Sequence, residues 1–301
     1  MPGLAHFCEH LLFMGSEAFQ DENEFLRYIR GYCGSSNAYT VASNTCYFFS
    51  ITSDYSTVMP FIDMETSSQE PAQRGNTSPF EGALKRFAAF FTGPLFKENC
   101  IETERKVVDS EYKGNRQSDK HRIFQLFKTQ ASEGHPWLKF GIGNSKTLEN
   151  VQTKDLSQWW KEHYSASIMR LVIIGRESLD DLTRLVVDNF SAIPTKSSQP
   201  GVTKPPWEDD QKGYITYAKT VDDTYTMEIS FCLNNKDEPY KSKPATYASR
   251  LIVRRGPGSL HAYLKENDWI KRFTSSLQQP ARGFFFLLVR AELTKSGWGM
   301  Y

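Results

Sequence analysis

The chain has 301 residues, with 36 basic against 35 acidic side chains and a formal net charge of +1, so no basic excess points to a nucleic-acid partner. Hydrophobic residues make up 39% and charged residues 24%, the balance of a soluble globular protein, and apolar runs such as 284–289 are far too short to span a bilayer. Five cysteines, an odd count without paired spacing and with no secretory leader ahead of them, predict reduced thiols in a cytoplasmic setting, unless a missing N-terminal segment carries a targeting signal.

Near the start stands His6-Phe7-Cys8-Glu9-His10. In a helix, residues four apart share a face, so His6 and His10 can grip one metal ion while Glu9 stands beside them. The order His-x-x-Glu-His is the inverzincin arrangement of zinc hydrolases. Cys8 points about 200° around the helix from His6 and reads as packed rather than nucleophilic. A chance match is expected in roughly one chain in a hundred of this length, so the flanking sequence has to decide.

Further along, Gly34 to Thr40 leads into Val41 to Ile51, whose β-branched and aromatic residues predict a hairpin. Long helices are predicted near 81–94 and 98–130. On the second of these, Glu104 and Glu111 lie two helical turns apart, so both can face one site. A helix carrying Trp159 to Tyr164, a strand at 170–175 and a helix at 179–190 follow. The stretch 195–213, with Pro200, Pro205 and Pro206 among polar residues, reads as a linker. A second unit of strands and helices begins near Tyr214. There Gly256-Pro257-Gly258-Ser259 lacks the Lys-Ser/Thr of a phosphate loop and reads as a turn into a helix from about Leu260. Arg250, Arg254 and Arg255 read as one solvated helix face. The alternation of elements is compatible with α/β or α+β layers.

Read outward from the two histidines, Gly3-Leu4-Ala5-His6-Phe7-Cys8-Glu9-His10-Leu11-Leu12-Phe13-Met14-Gly15-Ser16 resembles the zinc helix of the pitrilysin/insulinase family of metallopeptidases, in its insulysin/nardilysin-like branch. The stretches 21–25, 34–38, 108–112, 134–136, 141–144, 175–182 and 256–260 follow in the family's order. The resemblance implies one Zn2+ per chain, held by His6, His10 and Glu111, with Glu9 as general base and Glu104 orienting a ligand histidine. It implies that Ser36-Asn37-Ala38 lies on an edge strand onto which the substrate peptide is laid, making Asn37 and Ala38 substrate contacts. Phe13, one turn beyond His10, either walls a side-chain pocket or packs in the core.

The implied fold class is α+β, a mostly antiparallel sheet with helices packed on one face. On this reading residues 1–194 form a zinc-binding peptidase domain lacking its first strands, with an inserted loop at about 55–80. Residues 195–213 form the linker, and 214–301 a truncated second, non-zinc domain of the same fold. The chain is thus expected to be an N-terminal-half fragment of a zinc metalloendopeptidase that cleaves small peptides enclosed in a chamber. The alternative is a truncated, catalytically weak or inactive peptide-binding or assembly module. Expected partners are peptide substrates, together with a second copy of the chain or the missing C-terminal half; no nucleic acid or membrane is expected.

Overall fold

Leu4, Phe7, Cys8, Leu11 and Leu12 recur at helical spacing and bury one stripe of α1 (Leu4–Leu12), leaving the two histidines on another face. The computed structural model describes residues 1–52, 78–197, 204–233 and 241–300; the expected insertion falls almost wholly outside them, as does part of the linker. The chain divides into two compact units, the first comprising Met1–Thr40, Thr45–Tyr112 and Phe140–Pro200, the second Val41–Asn44, Lys113–Lys139 and Gly201–Tyr301.

In the first unit, α1 is followed by α2 (Glu24–Gly31) and by the antiparallel strands β1 (Ser35–Thr40) and β2 (Thr45–Ser50), in register from Ser35 opposite Ser50 to Thr40 opposite Thr45. Burial alternates along β1, so Ser36, Ala38 and Thr40 face inward while Ser35, Asn37 and Tyr39 face out. Helix α3 (Pro79–Ala89) starts with Pro79 in its first turn and the Ser78 hydroxyl accepting from the Glu81 N–H, and ends short of Gly93-Pro94. The stretch expected as one helix over 98–130 is two, α4 (Glu98–Asn115) and, belonging to the second unit, α5 (Asp119–Thr129), separated where Ser118 adopts an extended backbone just after the weak helix formers Gly114 and Asn115. Helices α6 (Thr153–His163) and α7 (Leu179–Phe190) follow the expected positions.

The first unit's core joins Phe7, Leu11 and Leu12, all fully buried, to Phe25, Phe87, Phe90, Leu148 and Leu156. Each such side chain contributes roughly 1.5–3 kcal/mol through burial, which fixes α1 and hence its histidines. The strand expected at 170–175 is not formed. Ile173 packs against Phe80, Leu84 and Leu185, but Leu171, Val172 and Ile174 are 42%, 83% and 89% exposed and none of the described strands pairs with the segment. An apolar run suits a strand, but a strand also needs a hydrogen-bonded neighbour.

The second unit is built on an antiparallel sheet of order β3-β5-β4, with β3 (Tyr225–Leu233), β4 (Ile270–Ala281) and β5 (Phe284–Leu293). Its central strand is the apolar run beginning at Phe284. One face carries Phe284, Phe286 and Leu288 against Trp137, Phe127 and Trp207; the other carries Val289, Ala291 and Leu293 with Ile270 and Phe273. Both faces are covered, so the run is continuous rather than alternating. Helices α8 (Pro244–Ile252) and α9 (Leu260–Glu266) contribute Ile252 and Leu264 to the second of these clusters, and Ser259 caps α9 by accepting from the Ala262 N–H. All strand pairings among the described residues are antiparallel, in agreement with the α+β expectation, and no described helix is long and apolar enough to cross a membrane.

Candidate metal centre

Helix α1 enters through Gly3, whose φ of 85° is in the left-handed region, and a Cβ there would lie 2.3 Å from the Gly143 Cα. Only glycine fits this approach. It brings the segment 141–144 against the start of α1, where the His6 Nδ1–H donates to the Ile142 carbonyl at 2.8 Å. The same segment is tied to α4: the Asp109 carboxylate accepts from the Ser145 N–H at 2.8 Å, and Arg105 donates to the carbonyls of Leu148 and Val151.

From α4, Glu104 reaches the other histidine, and its Oε2 accepts from His10 Nδ1–H at 3.0 Å. A carbonyl and a carboxylate can only accept, so in the neutral rings both protons sit on Nδ1 and both Nε2 atoms carry bare lone pairs. Those Nε2 atoms are 3.3 Å apart, and the Glu111 Oε2 is 3.5 Å from that of His6 and 3.8 Å from that of His10. Three lone-pair donors this close repel one another unless a cation sits among them. The edge of a tetrahedron around zinc, at its usual distances of about 2.0–2.2 Å to N and O ligands, is roughly 3.3–3.6 Å, so the donor set fits the ion. Among the described residues this is the only trio of histidine, cysteine or carboxylate donors within 4.8 Å of one another.

Glu104 is buried, whereas the Glu111 side chain is 44% exposed, leaving a side of the cluster open to water. Glu9 lies buried next to His10, and its Oε2 accepts from the Thr40 hydroxyl at 2.5 Å. Burial pushes the Glu9 carboxyl above its usual range; the Thr40 hydrogen bond and the neighbouring His6 and His10 pull back, and Glu111 adds to the rise. For His10, burial acts downward, but the Glu104 hydrogen bond and the charges of Glu104, Glu111 and Glu9 outweigh it and leave the imidazole above its usual value. Cys8 is fully buried, and burial pushes its thiol up to about 12, so it is inert as a nucleophile at neutral pH.

Asn37 and Ala38 lie on β1, whose only partner among the described strands is β2. Asn37 is on the exposed face opposite Phe48, and its side-chain oxygen accepts from the Ala38 N–H at 2.9 Å. Phe13 packs among Phe90, Phe25 and Tyr47, with ring centroids 5.0, 6.0 and 6.1 Å away. Two groups at the site have no counterpart in the sequence expectations. The Ile142 carbonyl is a backbone atom and carries no residue-type signal; Thr40 is visible only as an inward position at the end of β1.

The family model described as Insulinase (Peptidase family M16) matches residues 1–138, and that described as Peptidase M16 inactive domain matches residues 150–294. Human insulin-degrading enzyme is 34% identical over 303 residues, covering 98% of this chain and 27% of the human protein. The Saccharomyces cerevisiae A-factor-processing enzyme is 37% identical over 309 residues, covering 100% of this chain and 28% of its own. A Schizosaccharomyces pombe relative with zinc protease in its name is 38% identical over 271 residues, 87% of this chain and 26% of its own. The crystal structure of pitrilysin superposes with a TM-score of 0.81 at 25% identity, over 99% of this chain and 30% of that one. The chain thus spans between a quarter and a third of the length of these relatives. With nearly its whole length matched by two successive models of one family and by relatives of that family, the chain belongs to the insulinase family of peptidases, family M16.

Proposed function

We propose that this chain carries the zinc site of a metalloendopeptidase. The observation that supports this most is the convergence of His6 Nε2, His10 Nε2 and Glu111 Oε2, with both Nδ1 atoms already committed elsewhere. When bound, zinc supplies a Lewis acid that acidifies water and polarises a peptide carbonyl. The chain's residues do the rest. Glu104 and the Ile142 carbonyl hold the two imidazoles in the ligating tautomer. Glu9, beside His10, accepts the proton of the attacking water and returns it to the departing amine. The side of β1 away from β2 offers backbone groups on which an extended peptide can be laid, with Asn37 and Ala38 as contacts and Phe13 beneath the neighbouring surface.

Residues 1–194 are read as the zinc-binding domain and 214–301 as part of a second domain without zinc, joined by 195–213. Five unpaired thiols favour a reducing, cytoplasmic setting. The substrate class is peptides small enough to be enclosed by the companion half of a longer enzyme. Metal quantification alongside peptide cleavage by the purified chain, with zinc and with chelator, tests this reading: about one zinc per chain and chelator-sensitive cleavage are expected. Zinc without cleavage would favour the rival, a peptide-binding module; no zinc at all would overturn the site.

A further inference from the structure

We propose that Thr40 is the positioning residue of Glu9, coupling the strand that carries the peptide to the group that takes the proton, a role that rests on the peptidase reading above. A single hydroxyl makes two short contacts. The Thr40 Oγ1 donates to the Glu9 Oε2 at 2.5 Å and lies 2.9 Å from the Thr45 Oγ1 directly across the hairpin. Threonine has one hydroxyl proton, and an ionised carboxylate can only accept. The Thr40 proton therefore goes to Glu9, and Thr45 donates to Thr40. The result is a directed relay of two hydroxyls that ends on the carboxylate and is anchored in the register of β1 and β2.

This tether holds Oε2 and thereby sets the direction in which the carboxylate faces. A glutamate has three side-chain torsions, and a neighbour on its own helix cannot restrain them all. A hydroxyl from a strand far away in the sequence can. Thr40 belongs to the strand that holds Asn37 and Ala38, about 10 Å from Asn37 at the usual rise per residue. Ala38 and Thr40 share the inward face. A peptide pairing with the side of β1 away from β2 would load the same strand that aims the carboxylate, so the proton acceptor would be aligned when the peptide is seated. A misplacement of about 1 Å at such a group costs on the order of a hundredfold in rate.

The test compares wild type, Thr40→Val, Thr40→Ser, Glu9→Gln and the double variant Glu9→Gln/Thr40→Val as zinc-loaded chains. Thr40→Val keeps the shape and removes the hydroxyl; Thr40→Ala serves if valine disturbs the strand. The expected result is unchanged zinc content, a KM within about twofold of wild type, and a kcat lower by about ten- to a hundredfold that Thr40→Ser restores. On the Glu9→Gln background the second substitution should add nothing, because Thr40 acts through that carboxylate. Crystal structures give a readout independent of turnover, in which Glu9 in the valine variant should leave its place or split between rotamers. If wild type cleaves and the valine variant matches it, Thr40 is overturned while the peptidase reading stands. If zinc falls together with the rate, the effect lies in the metal site and the proposal fails. If wild type binds zinc without cleaving, the peptidase reading fails for this chain, and an undisplaced Glu9 in the valine structure would overturn the positioning role as well.

Discussion

Glu104 Oε2 and His10 Nδ1, 94 residues apart in sequence, meet at 3.0 Å in a largely buried pair. The contact fixes which ring nitrogen of His10 faces the other two donors. Replacing Glu104 with Gln keeps an acceptor but removes the charge that raises the basicity of the imidazole. Zinc affinity should fall by about ten- to a hundredfold with the fold retained. Competition titration against a chelating dye measures this, and an unchanged dissociation constant would show that the contact does not tune the site.

Glu111 is the donor that spacing alone does not separate from Glu104. Glu111→Gln should weaken zinc binding by at least about tenfold, since a neutral amide replaces an anionic ligand. Atomic absorption on dialysed protein reads the stoichiometry directly; full occupancy would remove Glu111 from the ligand set.

Glu9→Gln separates metal from chemistry. The amide keeps the shape but cannot take a proton, so zinc content and peptide affinity should persist while turnover drops by about two to four orders of magnitude. A substantial residual rate would mean that another group is the base.

The metal-free chain should lose stability as pH rises. His10 has a raised pKa in the fold, so its contribution is fully present below the unfolded value of 6.5 and is lost as pH climbs through the folded one. Glu9, also raised, has the same sign, its contribution being present below 4.5 and lost as pH rises through its own folded value. Zinc acts in the opposite direction, because the ligand must be neutral and protons compete with the ion as pH is lowered through the raised pKa of His10. Urea midpoints measured in chelator at about pH 5 and pH 8 should be higher at the acid end, and His10→Gln should flatten the difference. A midpoint that rises with pH in wild type would contradict this assignment.

Gly3→Ala should cost about 1–3 kcal/mol, because it places a side chain on a left-handed backbone and against the Gly143 Cα. The damage should also reach the metal, since the same approach carries the Ile142 carbonyl to His6. A lowered melting temperature with intact zinc affinity would mean that the two are not coupled.

Much of the site was legible before any fold was known, because its signals are local. The four-residue spacing of His6 and His10 placed them on one helical face, and two turns put Glu104 and Glu111 on one face of α4. Periodicity reports which residues share a face, and it does so from neighbours in the chain. It does not report what lies opposite. Only the tertiary structure turned Glu104 toward Nδ1 and Glu111 toward the Nε2 atoms, brought the Ile142 carbonyl through the Gly3–Gly143 approach, and set Thr40 against Glu9. For the same reason the apolar run from Leu171 to Ile174 was read wrongly as a strand. A strand is made by the hydrogen bonds of a partner, and none of the described strands supplies them.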